Sequence, residues 1–335
     1  MNDKSRPLRI FLYTLPFIIF VASLAIGAYH ISLPLLLKTL LSPLVPAWKA
    51  SLPENLAGII FGIRLPRLLL ALSVGAGLSV SGASLQALFK NPLVNEYILG
   101  ISSGAGFGAA LSLVFLGPRF PPQLSAFVFA VIAVLLVLTI SSKSESPVVS
   151  LLLTGVIVSA FFSALLSLVE FFASPYSLQA LFYWLMGNLS LAGWNDLALT
   201  LPLVLGGIVV IILLRWRLNV LSMSDEEALS LGLNIRREKL LVIFLATLIT
   251  SAATAVAGII GWIGLIVPHL VRMMVGADNR RVVPLSAALG ASFLLVADDV
   301  TRSLASFEVP VGIFTSIIGI PLFVLLLKKS SKVWL

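Results

Sequence analysis

The feature that most constrains the fold of this chain is the stretch from Leu240 to Val271, which contains no Asp, Glu, Lys or Arg. A membrane-spanning helix needs about 20 apolar residues, so the stretch is too long for one crossing and barely long enough for two. Within it, 261–269 reads Gly-Trp-Ile-Gly-Leu-Ile-Val-Pro-His and interrupts the apolar run with Gly and Pro. Inside lipid, broken backbone survives only where protein or a water-filled cavity covers it. The stretch therefore predicts a tight hairpin of two membrane helices beside a transport path.

Composition extends this interpretation to the whole chain. Hydrophobic residues make up 59% and charged residues 11%, whereas a soluble domain has about 25% charged residues. A net charge of +8 would suggest nucleic acid in a soluble protein, but cations that flank membrane spans explain it better, so we expect membrane lipid and no nucleic acid as a partner. The chain has no cysteine, which excludes disulfides and thiolate metal sites.

The charge-free runs predict an all-α polytopic membrane protein, with residues 1–335 forming one transmembrane domain. Ten spans are expected at about 10–30, 60–89, 94–116, 121–142, 147–171, 195–214, 239–257, 260–275, 282–303 and 310–328. The first run is longer than the 7–15 residues of a signal-peptide core, so it is interpreted as a span. With N- and C-termini in the cytoplasm, most of the 22 Lys and Arg residues lie inside, as the positive-inside rule requires.

Two segments between spans have helical character of their own. Residues 173–194, on the outer side, carry Leu178, Leu181 and Leu185 at helical spacing. Residues 220–236, on the cytoplasmic side, contain Ser224-Asp-Glu-Glu, an N-cap followed by an acidic first turn. Gly232 would end this helix. The cytoplasmic segment is therefore predicted to dock against a partner rather than to span the membrane.

Small residues recur every four positions in two spans. Gly75, Ser79 and Ala83 follow this spacing in the second span, and 100–108 repeats it with glycines. Such spacing lets helix backbones approach closely. Because 100–108 also contains Ser102 and Ser103, a local unwinding of this span is expected.

No residue set predicts an enzyme. The chain lacks H-E-x-x-H, G-x-S-x-G and G-x-x-x-x-G-K-[ST], so no metal, no cofactor and no ATP site is expected in it. His30 and His269 fall in different spans, and His269 is interpreted as a packed histidine that caps a carbonyl. A secondary transporter usually needs a carboxylate or histidine near mid-membrane, and the acids of this chain lie near the ends of spans.

Arginines gather at the predicted outer face. Arg64 and Arg67 bracket a Leu-Pro pair outside the second span, and Arg302 follows Asp298 and Asp299 by four and three residues. Arg302 reaches either acid along a helix face, which leaves a structural pair and a functional one equally open. Guanidinium groups suit bidentate pairing with carboxylates of a partner.

These motifs together resemble a known family. Arg64-Leu-Pro-Arg67, Gly82-Ala-Ser-Leu-Gln-Ala-Leu-Phe-Lys-Asn-Pro-Leu93, Ile98-Leu-Gly-Ile-Ser-Ser-Gly104, Gly264-Leu-Ile-Val-Pro-His269 and Val309-Pro-Val-Gly312 are similar to the FecCD family, the permease subunits of ABC importers. The resemblance covers about residues 55–328. It implies a ten-span type II importer fold in a prokaryotic cytoplasmic (inner) membrane, present as a homodimer. The implied partners are two ATP-binding cassette subunits, which hold ATP and Mg²⁺, and a periplasmic or lipid-anchored substrate-binding protein.

The resemblance also implies roles for individual residues. The residues expected to bind the substrate-binding protein are Arg64, Arg67 and Arg302. The residues expected to contact the ATPase are Ser222, Ser224, Asp225, Glu226, Glu227, Leu231 and Gly232. The residues expected to line the translocation path and gate are Ser144, Ser146, Ser163, Ser102 and Ser103. The implied mechanism is alternating access at the dimer interface.

The implied substrate is a metal chelate of the iron–siderophore, haem or cobalamin class, with molybdate or tungstate as the alternative substrate. A secondary transporter is a distant alternative to the importer itself. The chain departs from many members by Trp262-Ile263 and by Asp278-Asn279-Arg280. The tryptophan is associated with a subgroup that includes molybdate systems, so both substrate classes stay open.

Overall fold

A computed structural model describes residues 6–27, 31–45, 52–53, 55–142, 147–190, 192–303 and 308–330. Over these ranges the chain is helical, without strands. The helices are α1 (Arg6–Ala25), α2 (Leu33–Leu41), α3 (Gly58–Leu88), α4 (Ile101–Leu111), α5 (Pro122–Ser141), α6 (Pro147–Phe172), α7 (Pro175–Leu185), α8 (Trp194–Leu221), α9 (Asp225–Ser230), α10 (Ile235–Ala257), α11 (Ile263–Val275), α12 (Asn279–Thr301) and α13 (Val311–Ser330).

Helix α3 is the centre of the bundle. Its most apolar window is 89% buried, whereas that of α1 is 17% buried. It packs most extensively against α12 and also contacts α8, α10 and α11. Its small residues explain this position, because they let several helices approach one backbone at once.

Close backbone approaches occur where the small-residue spacing predicts them. A Cβ on Gly75 would collide with the backbone of Gly290 in α12, and a Cβ on Gly82 would collide with the backbone of Gly264 in α11. On α8, a Cβ on Gly207 would lie 2.5 Å from a side-chain carbon of Ile249 in α10. These glycines therefore set the distances between the central helices.

The predicted hairpin is present as α10 and α11, joined by residues 258–262. Gly258 has φ 68° and Trp262 has φ 75°, a left-handed conformation that is uncommon for a bulky side chain. The Trp262 ring lies 6.1 Å from the ring of Phe323 in α13. Protein thus covers the broken backbone, as a lipid environment requires.

Helices stand at all ten predicted spans. Among the described residues, seven helices are long and apolar enough to cross a membrane, and three apolar segments, Ile101–Leu116, Ile263–Val275 and Val311–Leu326, are shorter. The all-helical fold is confirmed, while the count of ten crossings, the cytoplasmic termini and the single-domain boundary remain predictions.

Two helix ends differ from the predicted span limits, which themselves stay predictions. The third span was expected from 94, but α4 begins at Ile101, because Asn91 and Asn95 form side-chain turns and Gly100 is left-handed at φ 80°. The expected unwinding thus precedes Gly100 instead of lying within 100–108. The sixth span was expected to end at 214, but α8 continues to Leu221, because helix formation does not stop where the membrane does.

Candidate functional site

The three predicted docking arginines lie together at one end of the bundle. Arg64 and Arg67 stand near the junction of the π-helical start of α3 with its α-helical part, and Arg302 caps the C-terminus of α12. Their exposed fractions are only 5%, 5% and 8%. The three guanidinium groups therefore converge, as the sequence predicts, but they are largely buried, and their role in docking stays a prediction.

Acidic side chains account for this burial. Arg67 Nε donates to Asp298 Oδ1 at 3.0 Å, and Arg67 Nη2 lies 2.9 Å from the same oxygen. Arg67 Nη1 donates to Glu308 Oε1 at 2.7 Å. The Asp298 side chain is fully buried, whereas that of Glu308 is 45% exposed. Arg67 thus joins α3 to α12 and has one partner that faces solvent.

The other two arginines tie α1 into the same cluster. Arg302 pairs with Asp299 and donates from Nη2 to the Ser23 carbonyl at 2.6 Å. Ser23 Oγ donates to Asp299 Oδ2 at 2.5 Å, and Arg64 Nη1 donates to the Leu24 carbonyl at 2.5 Å. The pairing of Arg302 with the acids before it is thus present, and the choice between a structural and a functional role stays open.

We call this group the outer charge cluster. Its members are Arg64, Arg67, Arg302, Asp298, Asp299 and Glu308. Three cations face three anions, so the cluster is close to neutral when all six are ionised. Sequence reasoning missed the contribution of Glu308, whose signal is a lone acid just before the Val309-Pro310 motif.

On the predicted cytoplasmic side, α9 has the cap that the sequence predicts. Glu227 N donates to Ser224 Oγ at 3.2 Å, and Ser224 N donates to Glu227 Oε2 at 3.0 Å. The Ser224 hydrogen bonds hold the pKa of Glu227 below its usual range. Gly232, at φ 79°, follows the end of the helix, while Leu231 is exposed. The reciprocal cap fixes a short helix that would be marginal alone.

Asp225 opens α9 and binds two lysines from other elements. Lys239 Nζ lies 3.0 Å from Oδ2, and Lys90 Nζ lies 3.0 Å from Oδ1. The hydrogen bond from Lys239, with the one from Lys90, holds the pKa of Asp225 below its usual range. At the other end of the segment, Ser222 Oγ donates to the Leu218 carbonyl at 2.8 Å and lies 3.4 Å from Asn279 Nδ2. The segment 220–236 is thus attached to α3, α8, α10 and the start of α12.

Helix α6 presents a broad uncovered face. Its apolar side chains are between 54% and 81% exposed at Val149, Leu153, Val156, Ile157, Phe161, Leu168, Phe171 and Phe172. Ser163 is exposed on the same helix, and Ser102 and Ser103 are half-buried in the first turn of α4. Ser144 and Ser146 lie outside the described residues. The assignment of these serines to the path stays a prediction.

A buried polar network that sequence reasoning missed joins α3 to α11. Gln86 Nε2 donates to the Gly264 carbonyl at 3.1 Å, and Arg272 donates to Gln86 Oε1. Glu96, fully buried, accepts from Gly264 N at 3.4 Å. The Glu96 side chain therefore lies at the first turn of α11, where helix amide groups favour an acidic neighbour. This network holds the Gly-rich hairpin against the central helix.

Over the described ranges no three His, Cys, Asp or Glu side chains converge as a cation site. His269 is buried in α11, and its Nε2 has no hydrogen-bond partner there. The histidine is packed, as expected, but no carbonyl accepts from its Nε2.

Comparison with known proteins places this geometry in context. The model of the FecCD transport family matches residues 15–329. A probable iron chelatin transport system permease protein of Helicobacter pylori is 42% identical over 84% of this chain and 85% of its own length. The molybdate import system permease protein MolB of Haemophilus influenzae is 38% identical over 99% of this chain and 98% of its own length.

One solved structure is similar over nearly the whole chain. It is described as an inward-facing conformation of a putative metal-chelate type ABC transporter, with a TM-score of 0.86 and 38% identity. The match covers 97% of this chain and 99% of that one.

Proposed function

Because this chain belongs to the FecCD transport family, and is thus a multi-pass permease of an ABC importer, we propose that it carries a metal chelate of the iron–siderophore, haem or cobalamin class. The observation that carries this proposal is the fold match over 97% of the chain to a transporter described as metal-chelate type. ATP and Mg²⁺ would bind in a partner ATPase rather than in this chain.

The translocation path would run between two copies of the chain. The face of α6 supports this, because its apolar residues are 54–81% exposed and a second copy in the membrane would cover them. No Asp, Glu, Lys or Arg lies between Ser150 and Val169. A path of this kind offers a bulky chelate few strong contacts, so selection would rest with a separate binding protein.

The outer charge cluster would receive that binding protein. Arg64, Arg67 and Arg302 would pair with partner carboxylates, as the resemblance implies. Because Arg67 and Arg302 already pair with acids and Arg64 donates to the Leu24 carbonyl, docking would proceed by exchange of these partners for carboxylates of the binding protein. The half-exposed partner, Glu308, is the one that solvent and a protein reach first.

The test is purification of the tagged chain in mild detergent, followed by mass spectrometry of the proteins that accompany it. Co-purification of a Walker-motif ATPase in stoichiometric amount supports the importer. The binding protein encoded in the same operon as that ATPase is then titrated with ferric siderophores, haem and cobalamin. Transport by the purified chain alone in proteoliposomes, without ATP, would overturn the proposal in favour of a secondary transporter.

Molybdate or tungstate is the second candidate substrate. The 38% identity to MolB over 99% of the chain favours it. The same titration distinguishes the two classes, because a binding protein that takes molybdate and ignores chelates excludes the first proposal while leaving the importer class intact.

A further inference from the structure

We propose that Asp225 is a positioning residue that clamps α9 to the inner ends of α3 and α10, so that displacement of α9 moves the centre of the bundle. The inference rests on the proposed function, because it assumes that an ATPase moves α9. Its geometry, however, is complete within this chain.

The clamp uses both oxygens of one carboxylate. Oδ1 is 3.0 Å from Lys90 Nζ, and Oδ2 is 3.0 Å from Lys239 Nζ. Lys90 follows the end of α3, and Lys239 lies in the first two turns of α10. Since the two lysines come from different elements, Asp225 fixes the position of α9 in two directions rather than one.

Lys90 is held closely to the central helix. Its φ is 51°, a conformation that costs energy for a residue with a side chain and persists where the surroundings enforce it. Its amide donates to the Ala87 carbonyl, and the next amide, of Asn91, donates to the Gln86 carbonyl at 3.1 Å. Gln86 in turn binds Arg272 and the Gly264 carbonyl. A displacement of Lys90 is therefore transmitted to the backbone of α3 and to the Gly-rich hairpin.

The neighbouring acids of α9 are not equivalent. The Glu227 carboxylate accepts from the Ser224 amide and hydroxyl. Glu226 is exposed and forms no ion pair with any described residue. Asp225 is thus the one acid of the α9 first turn that reaches α3 and α10 in the described structure.

The ion pairs of Asp225 are weak enough to let α9 move. The Asp225 side chain is 54% exposed, and exposed ion pairs add little to global stability. They still favour one orientation of a short helix, and they weaken with salt. Asp225 is therefore expected to govern coupling without governing folding.

The first experiment measures the clamp without any partner. Because the chain has no cysteine, Leu93→Cys and Leu229→Cys, both at exposed positions, allow two spin labels on the purified permease. Asp225→Asn is expected to broaden the distance distribution between them, and Glu226→Gln to leave it unchanged. An unchanged distribution in Asp225→Asn overturns the clamp while leaving the importer function untouched.

The second experiment measures coupling in the reconstituted complex with its ATPase and binding protein. Asp225→Asn is expected to lower the substrate moved per ATP hydrolysed about fivefold, the order of change that loss of two partly exposed ion pairs permits. Glu238→Gln is the matched control, because it removes one cytoplasmic ion pair, with Arg217, that does not involve α9. High salt should lower coupling in the wild type and have little effect in Asp225→Asn.

The two experiments separate the alternatives. If ATP hydrolysis and transport fall together while the label distances stay unchanged, Asp225 contacts the ATPase directly and the clamp is wrong. If no ATPase accompanies the chain, the proposed function fails, and the label experiment still decides whether Asp225 positions α9.

Discussion

Replacement of Asp298 by Asn tests whether the outer charge cluster is a buried structural lock. Asp298 is fully buried and accepts from Arg67 through Nε and Nη2, and Arg302 Nε lies 3.7 Å from its second oxygen. The Asn side chain has nearly the same shape but no charge. The change therefore removes the charge while leaving the packing almost intact.

The expected loss of folding stability follows from the burial of the Arg67 guanidinium, which remains after Asp298 is replaced. Without Asp298, Arg67 keeps Glu308 as its acidic partner, and its guanidinium stays in a site where it is 6% exposed. Removing one partner of a buried ion pair costs about 3–5 kcal/mol. In a chain of this size about 1 kcal/mol shifts the melting temperature by ~2 °C. We expect Asp298→Asn to melt roughly 6–10 °C below the wild type.

The assay is thermal unfolding of the purified permease in one detergent, followed by size-exclusion chromatography of the surviving fraction. Asp225→Asn is the control, because it also changes an aspartate that binds two cations but is 54% exposed. Loss of such exposed pairs costs at most about 1 kcal/mol. A melting temperature of Asp298→Asn within 2 °C of that control would refute the claim that burial of the outer charge cluster makes it a lock.

Three further predictions concern other parts of the molecule. Gly207→Ala is expected to destabilise the fold by about 1–3 kcal/mol because its methyl group would press on α10, whereas Gly206→Ala, which meets open space, is neutral or stabilising; equal melting temperatures would contradict this. Glu308→Gln is expected to tighten association with the binding protein about two- to fivefold, by freeing Arg67 from a half-exposed competitor; titration calorimetry measures it, and weaker binding would show that Glu308 assists docking. The pKa of Asp225 is lowered, so its ion pairs are fully present above the unfolded pKa of about 3.9 and are lost as pH falls through the folded pKa. The spin-label distances should therefore stay constant from pH 7 to about pH 5 and broaden below about pH 4. Broadening near pH 6 would contradict the assignment.

Local patterns predicted much of this fold. Apolar runs located a helix at every expected span, because in lipid the backbone must satisfy its hydrogen bonds within a segment. The Ser224 to Glu227 cap and the Gly232 stop were also readable, since both are interactions between near neighbours. Helix α7 followed from apolar spacing in the same way.

Long-range pairing escaped prediction. Arg67 appeared open to a partner because nothing near it in sequence is acidic, and its acid lies 231 residues away. The start of α4 was missed because two Asn side chains and one left-handed glycine outweigh the apolar character of 94–100. Glu96 gave no signal as a helix-terminal carboxylate, since its helix, α11, begins far along the chain.

The distance between Arg67 and its acid also has a consequence for biogenesis. A ribosome that adds about 5–20 residues per second needs roughly 10–50 s to pass from Arg67 to Asp298. During that interval α3 lies in the bilayer with Arg64 and Arg67 near one end, where long cationic side chains extend to the headgroups. The helices that bury α3 are translated after it, with α12, its most extensive contact, among the last. The nascent chain therefore inserts its central helix early and encloses it only when synthesis is nearly finished, so a ribosome that stops before α12 leaves this core helix exposed to lipid and to membrane proteases.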